Sequence, residues 1–346
     1  AICIMASQET EKQPTKEDVV SELITAVQSG EYNLVKSILG GKGHNFAAQD
    51  IVNTEDRTDD GWTTGSTTAL LVACKKHSYP CPESKEPESL NMVKLLLDHG
   101  ADPDIFVEAK HALHLAVQGG DLTLLRLLLE GNASVNQTDW KGRSATHLCC
   151  DTFVLDDEQT KLEILTTLIK YKADVNLQTK DGYTPLHYSC DKKRPDLTKA
   201  LLEKGALATI QDNRGNSPFH LAVLSCDLTS VRIMLEEGKA SANQTNNAGQ
   251  SALHLCCNMW DDKQLTLEIL TTLIKYKADV NLQDVYGKTP MHCSCASSKP
   301  ILTQALLKNG ALATIQDSNG DTLCIWQFLK KTLFQLVIFW KTEGFS

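Results

Sequence analysis

The heptad TPLHYSC at residues 184–190 decides how this chain folds. Close relatives of it recur along the sequence. They are HALHLAV at 111–117, SATHLCC at 144–150, SPFHLAV at 217–223, SALHLCC at 251–257 and TPMHCSC at 289–295. The spacing from His187 to His220 is 33 residues. The heptad therefore opens a unit that the chain repeats at an almost constant period.

A 33-residue period with a TPLH-like heptad in each unit resembles the ankyrin repeat, a turn followed by two helices. The resemblance covers about residues 60–325. It implies an all-α solenoid of about seven to eight stacked helix-turn-helix repeats with short β-hairpin tips. In such a fold Thr184 caps the first helix and Pro185 fits its first turn. The resemblance also implies that the heptad His hydrogen-bonds across the hairpin and to the neighbouring repeat.

The chain divides into five segments by composition and periodicity. Residues 5–15 are polar, and we expect 1–15 to form a disordered N-terminal tail. Apolar residues at helical spacing in 16–39 predict an N-terminal capping helix pair, followed by a Gly-rich loop at 40–66. The repeats occupy 67–322. Apolar residues spaced three and four apart in 323–346 predict a C-terminal capping helix or tail.

A block of three repeats is duplicated within the chain. Residues 162–178 and 267–283 are identical, both reading LEILTTLIKYKADVNLQ. Two repeats have longer connections between their helices, at 152–160 and 259–265, and the first repeat carries an insertion at 75–89. The duplicated parts are mostly second helix and hairpin, whereas the hairpin tips differ between the copies.

Composition and motifs exclude several classes of function. A net charge of -9 and a pI near 5.6 argue against nucleic-acid binding, which needs clustered Lys and Arg. The motifs HExxH, GxSxG and GxGxxG are absent from the sequence, so we expect neither an enzyme nor a bound cofactor. Because the sequence lacks a recognisable secretory signal, we expect free thiols and a location in the cytoplasm or nucleus. We also expect a monomer.

Membrane attachment through 323–340 is the alternative for the C-terminal segment. A membrane-spanning helix needs about 20 apolar residues. Lys330 and Lys331 interrupt this apolar run, which favours a cap over an anchor.

The histidines and cysteines of the heptads follow the repeat period. The histidines are His114, His147, His187, His220, His254 and His292. Their repetition indicates an architectural role and no catalytic one.

The cysteines of the heptads are Cys149, Cys150, Cys256, Cys257, Cys293 and Cys295, in a position that the family usually gives to Ala. Small, buried thiols suit that position. A zinc site needs four converging ligands, which adjacent cysteines on one helix do not supply. We therefore expect structural thiols and no metal.

The resemblance places the binding surface on a concave face made of hairpin tips and the exposed sides of first helices. The tips are rich in Trp, Tyr and Arg, the residue types that dominate binding energy at interfaces. The predicted partner-binding residues are Trp140, Lys141, Arg143, Lys180, Tyr183, Asn213, Arg214, Asn216, Asn247, Gln250, Tyr286 and Lys288. The adjoining first-helix positions are Gln118, Asp151, Asp191, Lys192, Leu224 and Asn258. For any single position the alternative is that a solvated tip simply carries a polar residue.

The sequence thus predicts a protein–protein interaction scaffold or adaptor that binds a protein partner through the concave surface. The alternative is a substrate-recruiting subunit of a larger assembly, such as a ubiquitin-ligase adaptor with a missing or unrecognised C-terminal box. The degenerate sequence after residue 322 permits that alternative.

Overall fold

A computed structural model of the protein describes residues 13–55, 67–78, 87–106, 111–151, 157–259 and 263–322. Within these ranges the chain forms 17 helices and no extended strand. Isolated antiparallel bridges join Thr138 to Ser144, Thr245 to Ser251 and Gln316 to Thr322. The predicted all-α architecture of helix pairs with short hairpin tips is confirmed.

The chain divides into two compact units. Unit 1 is Ala1–Ala173 and unit 2 is Asp174–Ser346. The helices of unit 1 are α1 (Lys16–Ser29), α2 (Tyr32–Leu39), α3 (Ala48–Val52), α4 (Ala69–Ser78), α5 (Pro87–Asp98), α6 (Ala112–Gly119), α7 (Leu122–Glu130), α8 (Ala145–Asp151) and α9 (Glu158–Lys170). Those of unit 2 are α10 (Pro185–Asp191), α11 (Pro195–Glu203), α12 (Pro218–Leu224), α13 (Leu228–Glu236), α14 (Ala252–Asn258), α15 (Lys263–Lys275), α16 (Pro290–Ala296) and α17 (Pro300–Lys308).

Each unit is a row of helix pairs in which like helices pack on like. In unit 1 the first helices α4, α6 and α8 pack in sequence, and the second helix α7 packs on α9. In unit 2 the first helices α10, α12, α14 and α16 form one layer, and the second helices α11, α13, α15 and α17 form the other. The hydrophobic core of each unit lies between these two layers.

The heptads begin the first helices as the resemblance implies. The Oγ1 of Thr184 accepts a hydrogen bond from the backbone N–H of His187, and Pro185 occupies the first helical turn. Leu186 and its equivalents Phe219 and Leu253 are fully buried. Burying a side chain of this size is worth about 1.5–3 kcal/mol, so each heptad contributes one large apolar group to the core.

The predicted helix pair over 16–39 is present as α1 and α2. A capping box between Thr15 and Asp18 starts α1, which ends at Gly30 in the left-handed conformation. The loop predicted over 40–66 is wrong in part, because α3 lies inside it. Ile51 and Val52 of α3 are buried and the helix packs against α1. Residues 1–12, 56–66 and 323–346, with their predicted tail, loop and C-terminal cap, lie outside the described residues.

The long connections predicted in two repeats are partly helical. The helix α9 begins at Glu158 and α15 at Lys263, and each has 13 residues where α11, α13 and α17 have 9. The carboxylate of Asp157 caps α9 by accepting from the N–H groups of the second and third helical residues. The additional residues therefore lengthen the second helix at its start. The insertion residues 79–86, 152–156 and 260–262 lie outside the described part of the chain.

Candidate protein-binding surface on the hairpin tips

Six five-residue hairpin tips precede the first helices or end the described chain. They are 139–143, 179–183, 212–216, 246–250, 284–288 and 317–321. In each tip the first N–H donates to the carbonyl of the fifth residue, at 2.8–3.0 Å. The opening side chain adds further bonds: Asp212 Oδ1 accepts from the N–H groups of Arg214 and Asn216, both at 2.8 Å. Gly215, the fourth residue, has a φ of +78°, which glycine adopts without strain.

Successive tips of unit 2 are hydrogen-bonded to one another. The backbone N–H of the second residue of each tip donates to the preceding tip. These bonds are Asn213 to Asp181 at 3.0 Å, Asn247 to Arg214 at 3.1 Å, Val285 to Ala248 at 3.1 Å and Ser318 to Tyr286 at 2.9 Å. The approach needs a glycine, because a Cβ on Gly182 would lie 2.9 Å from the backbone nitrogen of Asn213. The tips of unit 2 therefore form one connected platform.

Glutamines brace the same platform from the residue before three of the tips, at Gln178, Gln211 and Gln283. The Gln178 amide donates to the carbonyls of Gly182 at 2.9 Å and Gln211 at 3.2 Å. Gln283 makes the equivalent pair of bonds to Gly287 and Gln316. Each glutamine thus closes its own tip and holds the start of the next, which restricts the tip backbone to one arrangement.

The heptad histidines join the first helices to the following tips. His187 Nδ1 accepts from the backbone N–H of Thr184 at 3.0 Å, and its Nε2 lies 3.1 Å from the carbonyl oxygen of Asn216. Since Nδ1 accepts, Nε2 carries the proton and donates, so the ring is neutral. Burial lowers the pKa of His187 to about 4, which keeps this form at neutral pH. His220 and His254 repeat the arrangement. The bonding role implied by the family resemblance is confirmed.

Most of the heptad thiols are buried. Cys149, Cys190 and Cys256 are fully buried and free, and burial raises the pKa of each to about 12. A thiol that stays protonated at neutral pH is a poor nucleophile and a poor metal ligand. The burial expected for the heptad cysteines is confirmed except at Cys295, which is partly exposed.

The described ranges contain neither a metal-binding cluster nor a helix that could span a membrane. No cluster of three or more His, Cys, Asp or Glu side chains in those ranges is arranged to hold a metal ion. No helix there combines the length and the apolar character that crossing a bilayer requires.

The predicted site residues of unit 2 divide into exposed and internally bonded groups. Tyr286 is 61% exposed. The others whose side chains are exposed are Lys180, Arg214 and Lys288, while Tyr183 and Gln250 are half-buried. Asn213 and Asn247 are exposed, but their side-chain amides donate to the carbonyls of Lys180 and Asn213 in the preceding tips.

Asn216 belongs to the interior of its tip. It is 9% exposed, and its Oδ1 accepts from the side-chain amide of Asn246 at 3.0 Å. Its backbone carbonyl accepts from His187. The Asn216 side chain is therefore bonded to the neighbouring tip, and Asn216 is not part of the proposed contact surface.

In unit 1 the predicted residues lie together on the tip 139–143. Trp140 is 57% exposed, and the ammonium group of Lys141 lies 4.8 Å from the centroid of its ring. Arg143 is half-buried, because its guanidinium donates to Asp139 Oδ2 at 2.8 Å and to Asp151 Oδ2 at 3.2 Å. Trp140 is thus the exposed anchor of this tip, and Arg143 holds the tip to the end of α8.

Sequence reasoning missed a second row of bonds, made by asparagines. The Asn176 amide donates to the carbonyl of Gly205 at 3.1 Å and accepts from the N–H of Leu207 at 2.8 Å. Asn281 makes the same pair of bonds to Gly310 and Leu312. The available signal was the recurrence of this Asn in both copies of the duplicated sequence KADVNLQ. A polar residue that recurs at the same position of the repeat indicates a repeated structural hydrogen bond.

Comparisons with known proteins agree with this architecture. A sequence profile described as "Ankyrin repeats (3 copies)" matches residues 23–139, 82–155, 154–246, 194–284 and 231–317. Neurogenic locus notch homolog protein 2 from Homo sapiens is 32% identical over 168 residues, which is 48% of this chain and 7% of that protein. Neurogenic locus notch homolog protein 1 from Mus musculus is 33% identical over 170 residues, 48% of this chain and 6% of that protein. The chain therefore spans a small fraction of these relatives.

Solved structures with the same fold include two ankyrin-repeat domains. The domain of Bcl-3, described as a unique member of the IkappaB protein family, has a TM-score of 0.57 and 26% identity. The match covers 70% of this chain and 98% of that one. The domain of human ASB11 has a TM-score of 0.52 and 23% identity, covering 62% and 90%. With the profile matching most of the sequence, the chain belongs to the ankyrin-repeat family, whose repeats are generally protein–protein interaction modules.

Proposed function

We propose that this chain is a non-enzymatic scaffold that binds a protein partner through the tip surface of unit 2. The tip surface consists of the hairpin tips 179–183, 212–216, 246–250 and 284–288, with the adjoining carboxyl ends of α10, α12 and α14. It replaces the broader concave face expected from the sequence, and it omits the buried side chain of Asn216.

The observation that carries the proposal is an exposed apolar pair on a fixed backbone. Val285 and Tyr286 are each 61% exposed on the tip 284–288. The N–H of Val285 donates to Ala248 in one neighbouring tip, and the carbonyl of Tyr286 accepts from Ser318 in the other. A partner that buries this pair gains apolar contact while little backbone entropy is lost, because the tip is already ordered.

Further exposed groups support a binding role for the same surface. Leu224, at the carboxyl end of α12, is a large apolar side chain left 41% exposed between the tips and the second helices. Lys180, Arg214 and Lys288 add exposed cations on three of the tips. Exposed apolar and charged side chains on one surface are typical of a protein-binding patch.

Unit 1 carries a second exposed anchor of its own. Trp140 is held on a tip whose opening carboxylate accepts from the N–H groups of Lys141 and Arg143 at 2.9 and 2.8 Å. Tryptophan is among the residue types most enriched at binding hot spots. We propose that the partner, or a second partner, contacts this tip.

We further propose that the scaffold acts in the cytoplasm or nucleus. The supporting observation is that seven of the described cysteines, among them Cys74, Cys149 and Cys190, are free thiols, and six of these seven are buried. Protein thiols persist in this form in reducing compartments.

The test combines partner identification with paired surface variants. Proteins that co-purify with the full chain from cells would be identified by mass spectrometry, and the affinity of the main partner measured for Val285→Ser/Tyr286→Ala. We expect its binding to weaken by more than about 2 kcal/mol, or roughly 30-fold, with little change in melting temperature.

The matched control is Ile301→Ser/Leu307→Ser, which removes two exposed apolar side chains from the second helix α17. The control should bind normally. Normal binding by the tip variant together with loss in the control would move the interface to the second-helix face. Recovery of the same ubiquitin-ligase subunit in every complex would support a substrate-recruiting subunit instead of a scaffold.

A further inference from the structure

Three of the four tips in the tip surface present a cation whose charged group is not used inside the protein. The side chains are Lys180 in the tip 179–183, Arg214 in 212–216 and Lys288 in 284–288, and all three are exposed. Within the described ranges none of the three charged groups takes part in a hydrogen bond or an ion pair. The tip surface therefore has cationic donors that a partner can use.

Other cations near the tips and first helices are already paired. Arg143 of unit 1 donates to Asp139 Oδ2 at 2.8 Å and to Asp151 Oδ2 at 3.2 Å. The ammonium group of Lys192, after α10, lies 2.8 Å from Asp191 Oδ2. A paired cation offers less to a partner, because the new contact has to replace or share the existing one.

The carboxylates of the four tips are mostly turned to internal use. Asp212 is 5% exposed and Asp284 is 8% exposed. The Oδ1 atom of each accepts hydrogen bonds from two backbone N–H groups of its own tip. Asp181 is the remaining carboxylate of these tips, and it is exposed. The exposed side chains of the four tips thus include three cations and one carboxylate, although the whole chain has a net charge of -9.

The three cations are attached to a fixed backbone. The carbonyl of Lys180 accepts from the side-chain amide of Asn213 in the next tip at 2.9 Å. The N–H of Arg214 donates to Asp212 at 2.8 Å, and the N–H of Lys288 donates to Asp284 at 2.9 Å. A partner that binds these cations therefore has to immobilise mainly side chains, which lowers the entropy cost of binding.

The order of groups along the platform is cation, cation, neutral tip, then apolar pair. The neutral tip 246–250 reads NNAGQ, and the apolar pair Val285 and Tyr286 follows on the fourth tip. Packed helices lie about 8–10 Å apart, so the first two tips are separated by about 10 Å and the second and fourth by about 20 Å. An extended peptide advances about 3.3 Å per residue, so about three residues span one tip.

We propose that the tip surface binds an extended acidic segment of the protein partner, with carboxylates on the cations of the first two tips and an apolar side chain on Val285 and Tyr286. This rests on the proposed function, because it assigns a chemistry to the partner of the same surface. The tip spacing places two carboxylates about three residues apart and the apolar side chain about six residues from the nearer one. Arg214 suits a carboxylate, since its planar fork donates two parallel hydrogen bonds.

The test uses a phage-displayed library of random 12-residue peptides, selected on the immobilised full chain. Twelve extended residues reach about 40 Å, enough to cover the four tips. We expect the selected peptides to share Asp or Glu residues and one large apolar residue at the stated spacing. Synthetic copies with Asn or Gln in place of the acidic residues should bind at least tenfold more weakly. The variant Lys180→Gln/Arg214→Gln, with its fold checked by circular dichroism and melting temperature, should also lose at least tenfold in affinity.

The matched control is Lys204→Gln/Arg232→Gln. It removes one exposed lysine and one exposed arginine from the second-helix layer of unit 2, at the end of α11 and within α13. The change in net charge equals that of the tip variant, and peptide affinity should change less than twofold. Equal loss in the two variants would mean that the peptides respond only to the total charge of the chain, which would overturn the assignment.

The remaining outcomes separate this inference from the proposed function. Peptides without acidic residues that lose affinity with Val285→Ser/Tyr286→Ala would overturn the acidic segment and leave the tip surface as an interface. A single-stranded 12-nucleotide DNA that binds more tightly than the peptides, and is lost with the same tip variant, would assign the cations to nucleic acid instead. Peptides that are indifferent to every tip variant, or a selection that yields no binding peptide, would overturn both proposals.

Discussion

The heptads and the hairpin tips of unit 2 are adjacent in sequence but follow opposite rules. In the heptad 184–190 every residue except Tyr188 is buried, and His187 is bonded both to Thr184 and to the following tip. In the tips the first and fourth residues are restricted by bonding and by positive φ, while third residues such as Arg214 and Tyr286 are exposed. We therefore expect these exposed third positions to change at little cost in stability, and a binding specificity can reside there.

The strongest test of this contrast is removal of a heptad core residue. Leu186 is fully buried, so Leu186→Ala should lower the free energy of unfolding by about 2–5 kcal/mol through lost burial and an unfilled cavity. Chemical denaturation followed by circular dichroism measures this. Tyr286→Ala, at an exposed tip position, is the comparison and should change stability by less than about 0.5 kcal/mol. Similar losses of stability in the two variants would contradict the contrast between buried heptad residues and exposed tip residues.

A tip glycine should be as restricted as the core, although it is near the surface. A Cβ on Gly215 would collide with the backbone nitrogen of Asn247, and the residue has a φ of +78°. We expect Gly215→Ala to cost about 3 kcal/mol, the upper end for a strained backbone. Gly205→Ala is the control: its φ is +87°, but an added Cβ meets nothing within 4 Å. If both variants lost the same stability, the close approach between tips would be unimportant.

Acidification should weaken the junction between heptads and tips. Burial lowers the pKa of His187 to about 4, below the value of 6.5 for a free side chain. Between these values the unfolded state binds more protons, so stability falls as the pH falls through this window and is full above it. We expect a loss of about 2 kcal/mol from this histidine between pH 7 and pH 5. Denaturation at both pH values tests this, and NMR titration of His187 with a midpoint near 6.5 would refute it.

The smallest effect expected inside a heptad is at its thiols. Cys256 is buried, and its Sγ donates a weak hydrogen bond to the carbonyl of Thr266 at 3.4 Å. The substitution Cys256→Ala removes only the sulfur atom from a small side chain, so it should cost less than about 1.5 kcal/mol of folding stability. Cys256→Asp is the informative opposite, because it buries an unpaired charge and should unfold the repeat. Tolerance of the aspartate would show that this position is open to solvent.

Much of the fold could be predicted because its signals are local. The N-cap at Thr184, the neutral histidine at His187 and the helix pair over 16–39 depend on residues within a few positions of each other. Errors arose where packing on distant helices decided the outcome. The helix α3 forms in a segment that looked like a loop, because Ile51 and Val52 find α1 to pack against. The starts predicted for α9 and α15 are also too late, and for α9 the missed signal is local, because Asp157 caps the helix.

The candidate site was less predictable than the fold. Trp140 and Tyr286 could be chosen from residue type and tip position, and both are exposed. Their binding role stays a prediction. Asn213 and Arg214 looked alike as polar tip residues, but the Asn213 amide bonds to Lys180 while the Arg214 side chain is left exposed. The partner of an amide 33 residues away cannot be read from its neighbours in sequence.

The sequence by itself determined the family, the helix pairs and the buried heptads, because a 33-residue period imposes the same local contacts on every unit. Only the tertiary structure decided which polar groups of the tips are already bonded. Asp139 and Asp212 open equivalent tips, yet the first receives Arg143, while within the described ranges Oδ2 of the second has no hydrogen-bond partner. The physical reason is that a carboxylate is satisfied or not by the groups that folding brings within about 3 Å, and those groups come from other residues of the tip and from neighbouring repeats.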